Sequence, residues 1–186
     1  MTNPTGGAST SMAYTGIFNS QRVTVGTATL TNNAFGAAAS TTSGAATYFT
    51  RASTGNLVSM LTGGARYYYL YDGLGNVIGL VNATGTQIAT YTYDPYGNLT
   101  SSAPTGVGAT NPYRYKAGYT DPTGDTKLGA RYYNPGLGAW TQQDPSGQNP
   151  GYNYASSDPI NNTDPTGQSF WGLLTSSWVG LRGYPR

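Results

Sequence analysis

Tyr69-Leu70-Tyr71-Asp72-Gly73-Leu74-Gly75-Asn76-Val77 returns as Tyr91-Thr92-Tyr93-Asp94-Pro95-Tyr96-Gly97-Asn98-Leu99, from 69 to 91, an offset of 22. The shared pattern is Tyr-x-Tyr-Asp-x-x-Gly-Asn followed by an aliphatic residue. Tyrosines two apart point to one face of a strand. Asp opens a turn by accepting bonds from nearby backbone, and Gly three residues on supplies the positive φ. The aliphatic residue starts the returning strand. Between the copies, Val77 to Val81, Asn82 to Gly85 and Gln87 to Tyr93 read as strand, turn and strand. A looser copy, Phe49 to Leu57, lies 20 before the first, and a weaker one begins at Leu30 and ends at Gly36. Spacings of 19, 20 and 22 fit one unit whose turns change length. A single hairpin is too small to bury its own face, so such units must stack on their neighbours.

Composition agrees with this. All seven acids are Asp, and five of them (Asp94, Asp121, Asp144, Asp158 and Asp164) precede Pro. Asp is poor inside helices, and a residue before proline is pushed out of the α region. Long helices are therefore not expected. The absence of Cys and His removes the usual zinc ligands and Ser–His or Cys–His catalysis, so neither metal nor cofactor is expected. Net charge is +2 with two lysines, Lys116 and Lys127, too little basic character for nucleic-acid binding. No leader follows Met1 and no apolar run reaches membrane-spanning length.

From Asn111 the pattern changes. Asn111-Pro112-Tyr113-Arg114-Tyr115 leads to Gly118-Tyr119-Thr120-Asp121, then Leu128-Gly129-Ala130-Arg131-Tyr132-Tyr133-Asn134-Pro135. Leu137-Gly138-Ala139-Trp140 precedes Asp144-Pro145-Ser146-Gly147. Tyr152-Asn153-Tyr154-Ala155 and Asp164-Pro165-Thr166-Gly167 close the series. The repeats resemble YD repeats, and this ordered set resembles the core segment that follows them in rearrangement-hotspot (Rhs) proteins. The resemblance covers residues 14–167 and extends to the C subunits of insecticidal Tc toxins. It implies an all-β fold of stacked antiparallel hairpins forming part of a β-shell, with an irregular C-terminal core. The expected organisation is a disordered segment at 1–13, YD-repeat hairpins at 14–110, a core at 111–168 and a tail at 169–186. Trp171, Leu174, Trp178 and Leu181 recur at helical spacing, so the tail admits one short helix, with Ser169 as N-cap.

In that family the shell encloses a toxic C-terminal domain, and many members cut their own chain just after the last Asp-Pro-x-Gly as intramolecular aspartyl proteases. Carried onto this sequence, the resemblance makes Asp144 and Asp164 the paired carboxylates, with the cut after Gln168. Arg131 or Arg114 could orient a carboxylate, and Asp158 adds a third acid nearby. Two carboxylates in one site share a proton, one serving as base and the other as acid. Against this stands the plain role of Asp-Pro-x-Gly as a turn. Gln168 also stands where relatives carry Leu, Ala139 where they carry Arg, and Asn134 where they carry Asp.

The resemblance further implies secretion or display at the cell surface. The expected partners are the chain's own C-terminal segment or other shell chains. Self-association through open sheet edges is also expected, since few charges oppose it. A membrane is not an expected partner. Two other functions fit the sequence: a surface module binding carbohydrate or protein through tyrosine faces, and a displaced gene fragment without activity. Inward-facing Tyr69, Tyr71, Tyr91 and Tyr93 would favour the shell, and an exposed aromatic row would favour binding.

Overall fold

The computed structural model describes residues 10–16, 21–102, 106–144, 147, 151–168 and 171–172. Its main feature is a ten-stranded antiparallel meander in which every strand pairs with the next in sequence. The strands are β1 (Met12–Thr15), β2 (Gln21–Val25), β3 (Ala28–Asn33), β4 (Gly36–Thr42), β5 (Ala45–Arg51), β6 (Leu57–Thr62), β7 (Ala65–Tyr71), β8 (Val77–Asn82), β9 (Gln87–Tyr93) and β10 (Leu99–Ser102). Strand β1 begins two residues inside the stretch expected to lack order.

The repeat pattern predicts the faces. Cross-strand partners share a face, and Phe49 pairs with Met60, Met60 with Tyr67, Tyr69 with Leu80 and Leu80 with Ala89. Phe49, Met60, Tyr69, Leu80, Ala89 and Tyr91 are all buried in one cluster. The opposite face carries the row Thr50, Ser59, Tyr68 and Val81. There Arg66 donates to Ser59 Oγ at 2.8 Å and to Thr50 Oγ1 at 3.2 Å. An outer row that carries hydroxyls except at Val81, set against an apolar inner one, fixes the register, because a slip of one residue would exchange them.

The Asp turns repeat atom for atom. Asp72 Oδ1 accepts from the backbone N–H of Leu74 and of Asn76, both at 2.9 Å, and Asp72 Oδ2 accepts from Asn76 Nδ2 at 2.7 Å. Asp94 does the same with Tyr96, Asn98 and Asn98 Nδ2, at 2.9, 2.9 and 2.8 Å. Tyr71 and Tyr93 are likewise equivalent: their hydroxyls donate to the Leu57 carbonyl at 2.8 Å and the Val77 carbonyl at 2.7 Å, each on a neighbouring strand. In the looser copy Ala52 keeps the backbone frame, with Ala52 N to Asn56 O and Gly55 N to Ala52 O both at 2.9 Å, but has no carboxylate to fill it. These long turns line one rim of the sheet. The other rim has two-residue turns at Ser43–Gly44 and Gly63–Gly64, and then a longer turn from Asn82 to Thr86. That turn, together with a register shift between Leu80 and Val81, lengthens the repeat from 20 to 22.

A four-residue helix, α1 (Val107–Thr110), packs on β9, where the Tyr91 hydroxyl donates to the Gly108 carbonyl at 2.6 Å. The core segment follows as a second meander of four short strands: β11 (Tyr119–Thr120), β12 (Thr126–Leu128), β13 (Arg131–Asn134) and β14 (Ala139–Trp140). A 3-10 turn at Tyr154–Ser157 leads to β15 (Asn162–Thr163), which pairs with β16 (Trp171–Gly172). The helix expected in the tail falls mostly outside the described residues. The two positions within them, Trp171 and Gly172, are in a strand, because β15 offers them pairing partners.

Candidate functional site

The core docks on the inner face of the large sheet through aromatic rings. Tyr113 meets Phe49 edge-on at 4.9 Å and Tyr69 at 6.4 Å. Asn111, fully buried, accepts from the Tyr69 hydroxyl at 3.1 Å and donates to the Tyr113 carbonyl at 2.7 Å. A second cluster joins Tyr115, Leu128, Tyr133, Trp140 and Tyr154, with Tyr93 packed against it. Tyr133 and Tyr154 lie 4.4 Å apart, and Trp140 lies 5.2 Å from Tyr154. At the other end of the sheet, Arg22 of β2 forms a buried ion pair with Asp121. Tyr14 of β1 shares a hydrogen bond of 2.5 Å with Tyr132 of β13. One core segment thus touches both the first and last hairpins, which requires the sheet to curve around it.

Asp164 sits beside the second cluster, completely buried. Its two oxygens have separate roles. Oδ1 accepts from Thr166 Oγ1 at 3.0 Å and from the Gln168 N–H at 3.2 Å, the latter at the same i+4 spacing as in the Asp72 turn. Oδ2 accepts from Arg131 Nη2 at 2.9 Å. Arg131, also without exposed surface, lies with its guanidinium 4.1 Å from the Trp140 ring centre. The turn is locked to the β12–β13 connection by Ala130 N donating to Thr166 O at 2.8 Å. Glycine is required on both sides of this contact. A Cβ on Gly129 would stand 2.0 Å from the Thr166 carbonyl oxygen, and one on Gly167 would stand 2.4 Å from the Leu128 carbonyl oxygen.

The expected site residues therefore divide. Arg131 and Asp164 come together. Asp144 is buried as well, and its carbonyl accepts from Gly147 N at 3.2 Å in the turn its motif predicts. Asp158 is half-exposed and caps a turn, accepting from Asn161 N at 3.3 Å and Asn161 Nδ2 at 3.0 Å. Gln168 is exposed. Arg114 is not near Asp164's ion pair; it lies over Tyr91, 5.5 Å from its centre.

Sequence reasoning missed the second ionic centre. Burial pushes Asp121 up to about 6 despite the opposing pull of Arg22. Burial also lowers Lys127 to about 8, and Arg22 adds to that. The signal was present: Asp121-Pro122-Thr123-Gly124-Asp125 is another copy of the turn, with Asp121 N to Asp125 O at 2.8 Å and Gly124 N to Asp121 O at 2.9 Å. Its carboxylate has turned away to Arg22.

Among the described residues no group of three or more potential metal ligands occurs, and no helix is long and apolar enough to cross a membrane.

A curved hairpin meander with an aromatic core docked on its inner face is the architecture of a repeat-shell fragment. The Teneurin YD-shell profile matches residues 36–161, and the chain belongs to that family, as a YD-repeat protein of the Rhs kind. It is 34% identical over 146 residues to the tRNA3(Ser)-specific nuclease WapA of Bacillus spizizenii, covering 73% of this chain and 6% of that one. With the tRNA nuclease WapA of Bacillus subtilis strain 168 it shares 35% identity over 129 residues, 64% of this chain and 5% of the relative. The chain thus spans about a twentieth of these relatives. The fold also matches TcdB2–TccC3 without its hypervariable C-terminal region, with a TM-score of 0.61 and 22% identity over 84% of this chain and 8% of that one. A Photorhabdus luminescens Tc holotoxin pore gives 0.60 and 22%, over 85% of this chain and 8% of its own.

Proposed function

We propose that this chain is the closing section of an Rhs-type shell that encloses or presents the segment following it, and that Asp144 and Asp164 release that segment by cutting after Gln168. The observation that supports the reading is the bond from Gln168 N–H to Asp164 Oδ1 at 3.2 Å, which holds the peptide preceding the proposed scissile carbonyl beside the proposed carboxylate. Asp164, oriented by Arg131, acts as base on a water. Asp144 supplies the proton to the leaving amine of Ser169, so one peptide bond and one water become a carboxylate and an amine. Because Gln168 is exposed, its polar side chain carries no burial penalty in this state.

The relatives' nuclease activity resides in far longer chains and is not assigned to this segment. Secretion or surface display, and association with other shell chains through the free edges of β1 and β10, belong to the same proposal. Burial of Tyr69 and Tyr91 and partial burial of Tyr93 support a shell over an exposed tyrosine surface for carbohydrate, whereas Tyr71, at 36% exposure, departs from that pattern.

The test is intact mass after prolonged incubation at neutral pH. The wild type is expected to lose residues 169–186, and Asp144→Asn and Asp164→Asn to keep them. Equal cleavage in all three, or none in the wild type, leaves both aspartates as turn residues.

A further inference from the structure

The outer face of the large sheet carries a single charge. In strands β1–β10 the charged residues are Arg22, Arg51 and Arg66, and none is acidic. Arg22 turns inward to Asp121, and Arg51 donates to the hydroxyl of Tyr113 in the core at 3.1 Å. Arg66 stays outside and exposed. Its Nη1 reaches across to Ser59 of β6 and Thr50 of β5. Among the described residues the ion pairs are Arg22–Asp121 and Arg131–Asp164, so Arg66 faces no carboxylate.

The register sets a ring on either side of that cation. Tyr48 pairs with Leu61 and Leu61 with Arg66, while Thr50 pairs with Ser59 and Ser59 with Tyr68. These residues form a grid on one face of β5, β6 and β7. Arg66 and Thr50 hold one pair of opposite corners and Tyr48 and Tyr68 the other, so the guanidinium crosses between the rings. Both rings are open to solvent, Tyr48 at 55% and Tyr68 at 39% exposure. Two strand spacings of about 4.8 Å and two residues of about 3.4 Å put the tyrosines about 12 Å apart. In an extended chain, residues i and i+4 lie about 14 Å apart and share a face with i+2. An extended segment therefore fits this grid, with its central side chain at the guanidinium and the outer two at the rings. Tyr and Arg are enriched among the residues that carry binding energy at protein interfaces, and an unopposed guanidinium selects a carboxylate.

We propose that this patch docks an extended segment of a partner protein with Asp or Glu at its centre and apolar side chains two residues to either side. The carboxylate pairs with Arg66, and the apolar side chains cover Tyr48 and Tyr68. The patch lies on the face opposite the core and shares no residue with the cleavage reading.

The experiment titrates the full chain with acetyl-Leu-Ser-Glu-Ser-Leu-amide and follows backbone amide shifts by NMR. Affinity is expected to be roughly millimolar, as for a short peptide with few contacts, with shifts at Tyr48, Thr50, Ser59, Arg66 and Tyr68. Acetyl-Leu-Ser-Gln-Ser-Leu-amide should bind about threefold more weakly, the scale of an exposed ion pair, and Arg66→Gln should abolish that difference. Acetyl-Ser-Leu-Glu-Leu-Ser-amide has the same composition but turns its leucines away from the face of the glutamate, and should also bind about threefold more weakly. Tyr48→Thr keeps a strand-forming residue at an exposed position and should weaken the first peptide by a similar factor. Equal binding of the first peptide and either control overturns the proposal, as does undiminished binding to Tyr48→Thr. So does the absence of shifts at those amides, or glucuronate giving the same shifts at equal affinity, which would make the patch a saccharide site.

Discussion

Replacing Arg131 by Met tests how far the core depends on its buried ion pair. The Arg131 and Asp164 side chains both have no exposed surface and meet at 2.9 Å. Taking away one partner of a buried pair leaves a charge without its counterion and costs about 3–5 kcal/mol. Stacking on Trp140 at 4.1 Å is lost as well, worth about 1 kcal/mol. Two terms work in the other direction: Met fills much of the vacated volume, and Asp164 Oδ1 keeps its bonds from Thr166 and Gln168. The lower end of the range, about 3 kcal/mol, is the expected loss. At about 2–4 °C per kcal/mol for a domain of this size, the midpoint should fall by roughly 6–12 °C. The assay is thermal and urea unfolding of the wild type, Arg131→Met, Asp164→Asn and the double variant. Coupling of about 2 kcal/mol is expected, because the neutral amide that replaces the Asp164 carboxylate no longer needs a cation. A single variant within about 1 kcal/mol of the wild type, or additive effects, would refute the claim that this pair holds the core together.

Ala52→Asp should stabilise the chain by about 0.5–1 kcal/mol, since it supplies the missing acceptor to the turn that Asp72 and Asp94 already fill; urea midpoints decide it. Gly97→Ala should destabilise by about 2 kcal/mol or more, because φ there is +87° and a Cβ would lie 2.5 Å from the Tyr115 ring; an unchanged midpoint would show that the ring can move aside. Asp121 gives a pH signature. Its folded value is raised to about 6 from 3.8, so the folded state binds the extra proton. Its contribution is therefore lost as pH rises through about 6 and regained as pH falls toward 4, by up to about 3 kcal/mol. Lys127, lowered to about 8, stays charged across that window in both states and adds no slope. Wild type minus Asp121→Asn should show this trend in unfolding free energy, and a difference that runs the other way would mean the Arg22 attraction outweighs burial.

The hairpins were legible because their signals are local: a tyrosine pair, an Asp and a Gly at fixed spacing decide strand face and turn together. Asp164 was legible for the same reason, and Arg131, alongside Arg114, as a cation that could orient a carboxylate. The Arg22–Asp121 pair was not, since ninety-nine residues separate its members and nothing near Arg22 marks it as facing inward. The core also departs from local rules at Lys116 and Ala117, with φ of 50° and 51°, and at Ala155, Ser156 and Ser157. A sequence reader expects Gly at such positions; here packing of Tyr115 and Tyr154 on either side imposes the conformation. Trp171 and Gly172 show the same override, where a partner strand outweighs helical spacing.

The hairpin from Leu80 to Ala89 holds two more residues than the one from Met60 to Tyr67, one in its turn and one in a bulge beside Leu80 and Val81, yet Leu80 still faces Ala89 as Met60 faces Tyr67. Two residues restore the alternation of faces, whereas one would turn every later strand inside out. The meander therefore has a reading frame of its own. Length changes at that rim pass unnoticed in pairs and scramble everything downstream when they come singly. A shell built this way can drift in length over evolution only by even steps, or by odd steps matched to a bulge in the adjoining strand.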